Sequence, residues 1–191
     1  MASINRQQCK AKIIAITGSN GKTTSKELMF SIFKLVFPTI ATEGNLNNHI
    51  GVPLTLLRID HNTEFAIVEM GANHPGNIAE LCKIADPDVG IITSIGKAHL
   101  EGFGSFEKVI ATKLELFDYL SAKNRPCFYN LFSALIANLF ETKSSSISFG
   151  DVHSNAHYKA KLMQSFPTIV MEYFADPVSY THLTLPTSDL V

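Results

Sequence analysis

The apolar positions of this chain follow two alternating patterns. Short continuous runs, KIIAIT (12–17), FAIVEM (65–70) and VGIITSI (89–95), read as buried strands. Between them, apolar residues recur at helical spacing. Leu28, Met29, Ile32, Phe33, Leu35 and Val36 form one such stripe, which stops before Pro38. PTIAT (38–42) predicts a short strand leading into the asparagine-rich loop GNLNNHIG, and a helix is expected over Pro53–Leu57. A helix over Gly76–Ala85 carries Ile78, Leu81 and Cys82 on one face and ends at Asp86-Pro87. A long helix over Ser105–Ser121 has Phe106, Val109, Ile110, Leu114, Phe117 and Leu120 as its stripe. PCFYN (strand), Leu131–Phe140 (helix) and SISFG (strand) follow. Continuous apolar strands alternating with helices predict an α/β fold, a mostly parallel sheet flanked by helices.

Composition narrows the class without naming a function. The chain has 191 residues, 46% hydrophobic and 17% charged, with a net charge of −1. This suits a globular protein and gives no electrostatic reason to expect nucleic acid or an anionic membrane as a partner. No apolar run reaches the roughly 18 residues of a membrane span, and MASINRQQCKAK lacks the apolar segment of a signal peptide. Cys9, Cys82 and Cys127 are odd in number and widely spaced, as expected of reduced thiols in a cytoplasmic protein.

In open parallel sheets, ligands bind outside the carboxyl ends of the strands. The first strand delivers Gly18, Ser19, Asn20, Gly21, Lys22, Thr23 and Thr24 to that edge. Glycines there let backbone N–H groups approach phosphate, and Lys22 and Thr23 suit a triphosphate and Mg²⁺. Only two residues separate the glycines, fewer than in G-x-x-x-x-G-K-[ST], and a plain strand-to-helix turn is the alternative. The second strand ends in Glu69, either a metal-binding acid or a carboxylate in a solvated or ion-paired strand end. His99 lies in GKAHLEGFGS after the third strand, as a ligand or a solvated loop residue. Lys113 sits within the apolar stripe of the long helix. Burial would lower its pKa and allow an uncharged amine to add CO₂; snorkelling to the surface is the alternative. Asn45, Asn47 and Asn48 are substrate contacts or turn formers.

ITGSNGKTTSKE, TEGNLNNHIGVPLTLL, VEMGANHPGNIAEL and ITSIGKAHLEGFGSFEKVIATKLEL together resemble the central ATPase domain of the Mur ligases. The resemblance runs from about Ile13 to Leu116 and more weakly to about Ala160. EMGANH with AHLEGFGS favours the branch that adds D-alanyl-D-alanine to UDP-N-acetylmuramoyl-tripeptide, in peptidoglycan precursor synthesis. It implies a P-loop mononucleotide-binding fold and amide-bond formation driven by ATP through an acyl phosphate. It further implies that Lys22 and the loop amides hold phosphate, and that Thr23 and Glu69 hold one Mg²⁺. His99 and a carbamylated Lys113 would hold a second Mg²⁺, and Asn48 would lie near the transferring phosphate. A cytoplasmic monomer is expected. A small GTPase or kinase is disfavoured by the short glycine spacing and by the absence of an NKxD motif.

The same resemblance implies domains before and after this one, for the uridine nucleotide, the adenine and the amine substrate. Residues 1–12 are accordingly expected to be an N-terminal remnant and 13–177 a partial ATP-binding central domain. Residues 178–191 are expected to be non-native, because VSYTHLTLPT resembles a translated sequencing-library adapter. A natural divergent strand is the alternative there. A nucleotide- and Mg²⁺-binding fragment without ligase activity is the alternative function for the chain as written.

Overall fold

The computed structural model describes residues 2–96, 100–140, 146–165, 168–175 and 178–186. Two compact units divide at Cys127/Phe128, inside the stretch expected as one domain over 13–177.

The first unit is built on four parallel strands. They are β1 (Lys12–Thr17), β2 (Thr39–Ala41), β3 (Phe65–Glu69) and β4 (Val89–Ile92), in the order β2-β3-β1-β4. Its helices are α1 (Ala2–Gln8), α2 (Lys22–Phe33), α3 (Gly51–Leu57), α4 (Asn77–Ala85), α5 (Leu100–Phe103) and α6 (Phe106–Ser121). Successive strand side chains point to opposite faces. Ile14, Ile16 and Ile67 accordingly form a core with Met29, Phe30 and Phe33 of α2. The opposite face carries Gly90, in register with Ala15. A Cβ at Gly90 would lie 2.4 Å from Leu120 and 3.1 Å from Leu116, so α6 packs there at close range. The sheet is thus covered on both sides, as its uninterrupted apolar strands predict.

Several boundaries differ from the sequence reading. The α2 helix ends at Phe33, and Leu35 and Val36 lie beyond it, exposed. Strand β4 stops at Ile92 because Thr93 and Ser94 turn toward the loop after β1 and hydrogen-bond to it. The buried side of α6 uses Val109, Thr112, Lys113, Leu116, Phe117 and Leu120, with Leu116 where Leu114 was expected. Residues 1–12, expected as a remnant, include α1. Asn5 donates to the carbonyls of Leu56 and Ile59, and Arg6 to those of Ala85, Asp86 and Ala11 and to Asp88 Oδ2.

The second unit contains all but the first residue of β5 (Cys127–Asn130), with α7 (Ala134–Phe140), β6 (Ser146–Asp151), β7 (Tyr158–Gln164), β8 (Thr168–Ala175) and β9 (Val178–Pro186). β6 and β7 pair in parallel, while β7, β8 and β9 pair antiparallel. Residues 178–186, read from the sequence as a foreign tail, supply β9.

Candidate functional site

Register brings the chemistry to one edge. Ile16 pairs with Glu69 and Thr17 with Ile92, so β1, β3 and β4 end at the same level. The loop after β1 turns through Gly18 (φ +152°) and Gly21 (φ +80°), and Gly21 caps α2 without a side-chain bond. A Cβ on Gly18 would stand 2.1 Å from Thr93 Oγ1, so this turn tolerates glycine alone. The first-turn N–H groups of α2 have no intrahelical acceptor and carry the positive end of the helix dipole.

Not every amide of the loop is free. Ser19 N donates to Ser94 O (2.9 Å) and Asn20 N to Ser94 Oγ (2.9 Å). Ser19 Oγ donates to Gly96 O and accepts from Gly96 N. Both residues were expected to bind the cofactor through the loop, yet these two amides are committed to fixing its shape. The donors left to face an anion are those at the start of α2, around Lys22, Thr23 and Thr24.

A cavity of about 510 Å³ opens here. Gly18, Ser19, Lys22, Asn48 and Lys113 line it, together with Asn47, His49, His74 and Phe103. Lys22 Nζ donates to the carbonyls of Gly18 (2.8 Å) and Ser19 (3.2 Å), folding back over its own loop. Partial burial lowers its pKa, and Glu69 partly offsets that shift. Lys113 is 4% exposed, so it does not snorkel. Desolvation and the neighbouring charge of Lys22 bring its amine down to about 8.

Glu69 is 1% exposed and is gripped by neutral donors. Thr23 Oγ1 donates to Oε2 (2.9 Å) and Asn47 Nδ2 to Oε1 (2.8 Å), while Glu69 N donates to Thr42 Oγ1 (3.0 Å). Among the described residues no Lys, Arg or His lies within ion-pair distance of this carboxylate, nor does any cluster of three His, Cys, Asp or Glu suited to a metal occur. One carboxylate beside one hydroxyl fits Mg²⁺, a hard cation that keeps waters and takes phosphate oxygens instead of a full protein cage. Lys22, Thr23, Glu69 and Lys113 are therefore brought together. His99 lies outside the described residues.

Asn48 lines the cavity, but its Oδ1 accepts from the amides of Ile50 and Gly51 at the start of α3. The turn-forming alternative thus holds for its carbonyl, and only its amide nitrogen is available to a ligand. Sequence reasoning missed His74, whose Nδ1 lies 3.0 Å from Gly102 O, and Glu115, which accepts from the amides of Gly76 (2.7 Å) and Ala79 (2.8 Å). Glu115 was legible only as a helical neighbour of Lys113.

The sequence profile of the Mur ligase middle domain matches residues 16–180. The chain belongs to the Mur ligase family. UDP-N-acetylmuramoyl-tripeptide–D-alanyl-D-alanine ligase of Escherichia coli (strain K12) is 44% identical over 120 residues, 63% of this chain and 26% of that protein. A crystal structure of MurF from Acinetobacter baumannii superimposes with a TM-score of 0.85 at 32% identity, covering 97% of this chain and 41% of that one. A MurF ligase from Thermotoga maritima in complex with ADP gives 0.83 at 29% identity, covering 97% and 43%. This Mur ligase chain spans about a quarter of the length of that curated relative. No helix among its described residues is long and apolar enough to cross a membrane.

Proposed function

We propose that this chain carries the ATP-handling centre of a ligase that joins D-alanyl-D-alanine to UDP-N-acetylmuramoyl-tripeptide. One observation carries the reading: Lys22 and Lys113 line a single cavity, and Thr23 and Asn47 hold the buried Glu69 beside it. The names of the curated relatives supply the substrates, and the Thermotoga maritima complex supports a nucleotide.

The residues divide the work as follows. The amides at the start of α2 and the Lys22 ammonium take the β- and γ-phosphates, replacing the two loop carbonyls that Lys22 now contacts. Thr23 and Glu69 hold Mg²⁺, which when bound neutralises charge on the phosphates. Burial keeps Lys113 ready to lose its proton; its uncharged amine adds CO₂ to give an N-carboxylate and one proton. That anion, with His99, would hold a second Mg²⁺, which would neutralise charge as the carboxylate attacks. The tripeptide carboxylate attacks the γ-phosphorus, ADP leaves, and an acyl phosphate forms. The amine of D-alanyl-D-alanine then attacks the acyl carbon, phosphate leaves, and the amide remains. Asn48 lines the same cavity, and its amide nitrogen would donate to the transferring group. We further propose that the protein acts in the cytoplasm as a monomer.

Phosphate release by the complete protein tests this. It should require both the UDP-linked tripeptide and D-alanyl-D-alanine, and Lys22→Ala should abolish it. Release with a different acceptor, or without either substrate, would contradict the proposed reaction. The 191-residue chain alone should bind Mg²⁺·ADP without forming the amide; that outcome marks it as a nucleotide-binding fragment of the ligase.

A further inference from the structure

Lys26 is wholly buried (0% exposed), and nothing in the chemistry above uses it. Its ammonium has three donors and three acceptors: Thr42 O (2.8 Å), Gly44 O (3.1 Å) and Glu27 Oε1 (2.7 Å). A buried cation is costly unless every donor is met, and packing alone would be served by methionine. The two carbonyls it meets belong to the segment after β2, which forms no strand or helix of its own until α3 begins at Gly51.

That segment is what orients Glu69. Thr42 Oγ1 accepts from Glu69 N, and Thr42 N donates to Ile67 O (2.9 Å). Asn47 Nδ2 donates to Glu69 Oε1, while Asn47 O accepts from Gly71 N (2.7 Å). Residues three and four apart share a helix face, so Lys26 lies one turn beyond Lys22 and Thr23 on the same side of α2. A ring closes: Thr23 holds one oxygen of Glu69, Asn47 the other, Thr42 its backbone, and Lys26 returns from Thr42 to the helix that bears Thr23. On the outer side, Arg58 donates to Ala41 O (3.2 Å) and pairs with Glu43 (3.1 Å), both charged groups being solvent-exposed. Lys26 is the buried anchor.

We propose that Lys26 is a positioning residue for the metal–nucleotide centre: by fixing Thr42 and Gly44 it sets the direction of the Glu69 carboxylate. The inference rests on the reading of Glu69 as the Mg²⁺ acid.

Its test uses the 191-residue chain, with titrations of ADP in excess Mg²⁺ and in EDTA, and amide hydrogen exchange. Lys26→Met should weaken Mg²⁺·ADP binding at least tenfold, leave metal-free ADP binding within twofold, and speed exchange at Gly71 at least tenfold. In a Glu69→Gln background the same substitution should no longer alter the Mg²⁺ dependence. A merely structural lysine would lower both titrations together, and that result would overturn the proposal. So would unchanged Mg²⁺·ADP binding in a folded Lys26→Met chain. Should Lys26→Met fail to fold, Thr42→Val, which removes only the hydroxyl on Glu69 N, must show the same selective loss of Mg²⁺-dependent binding. Failure of the wild-type chain to bind Mg²⁺·ADP would instead overturn the functional reading, a result distinct from equal binding by wild type and variant.

Discussion

Replacing Lys113 with methionine should stabilise the protein near neutral pH. The Lys113 amine falls from an ordinary 10.5 to about 8 on folding, through desolvation first and the Lys22 charge second. The folded state therefore releases this proton at lower pH than the unfolded chain. Between those two values the unfolded chain binds more protons, so stability rises with pH across that window. Below it the full cost of the buried charge is present. A gap of 2.5 (10.5 less 8) corresponds to about 3 kcal/mol, at roughly 1.4 kcal/mol for each tenfold step. Lys113→Met keeps the length of the side chain on the α6 face and removes the charge. Urea denaturation in CO₂-free buffer measures the difference. The variant should gain about 1–3 kcal/mol near pH 7, and the gain should shrink toward zero as pH passes the ordinary lysine range. Added bicarbonate should stabilise the wild type and leave the variant unchanged. Parallel pH profiles for the two proteins would overturn this, because they would mean that Lys113 keeps its proton in the fold as it does in water.

Gly18→Ala should deform the loop after β1, since its new methyl would meet Thr93 Oγ1 at 2.1 Å in a backbone region unfavourable to side chains; a calorimetric titration should find Mg²⁺·ADP binding reduced by more than tenfold. Glu115→Ala removes the carboxylate that accepts two amides at the start of α4, and the urea midpoint should report a loss of about 1–2 kcal/mol. In the complete protein, Lys113→Ala should cripple turnover and recover part of it with added short carboxylates; wild-type turnover without additives would remove the carbamate. Sequencing the source gene from unfragmented DNA should show the native frame departing near Pro177, and continuous native coding through Val178–Thr187 would refute a foreign tail.

The parallel core was legible because both faces of the sheet are buried, which leaves KIIAIT and FAIVE as unbroken apolar runs. Lys113 was legible for a related reason: a charge inside an apolar stripe at helical spacing has few places to go. Lys26 was not, although it is more deeply buried, because its neighbours on α2 are polar at the loop end and the stripe starts only at Leu28. Its partners are backbone carbonyls, which leave no mark in sequence. The same limit hid the two amides committed to Ser94, since a glycine-rich loop announces close approach but not which donors are already occupied. The α1 helix carries no apolar stripe to mark it in the sequence, because polar contacts, Asn5 and Arg6 to carbonyls, hold it instead.

If the proposed function is right, a nucleotide's phosphates and its Mg²⁺ meet at the start of α2 and at Glu69. Anomalous scattering from crystals grown with Mn²⁺ and a non-hydrolysable ATP analogue measures this directly. A Mn²⁺ peak is expected roughly 2.0–2.6 Å from a Glu69 carboxylate oxygen, with Thr23 and phosphate oxygens completing its shell. A bound nucleotide whose metal lies away from Glu69, or whose phosphates avoid the first turn of α2, would contradict it.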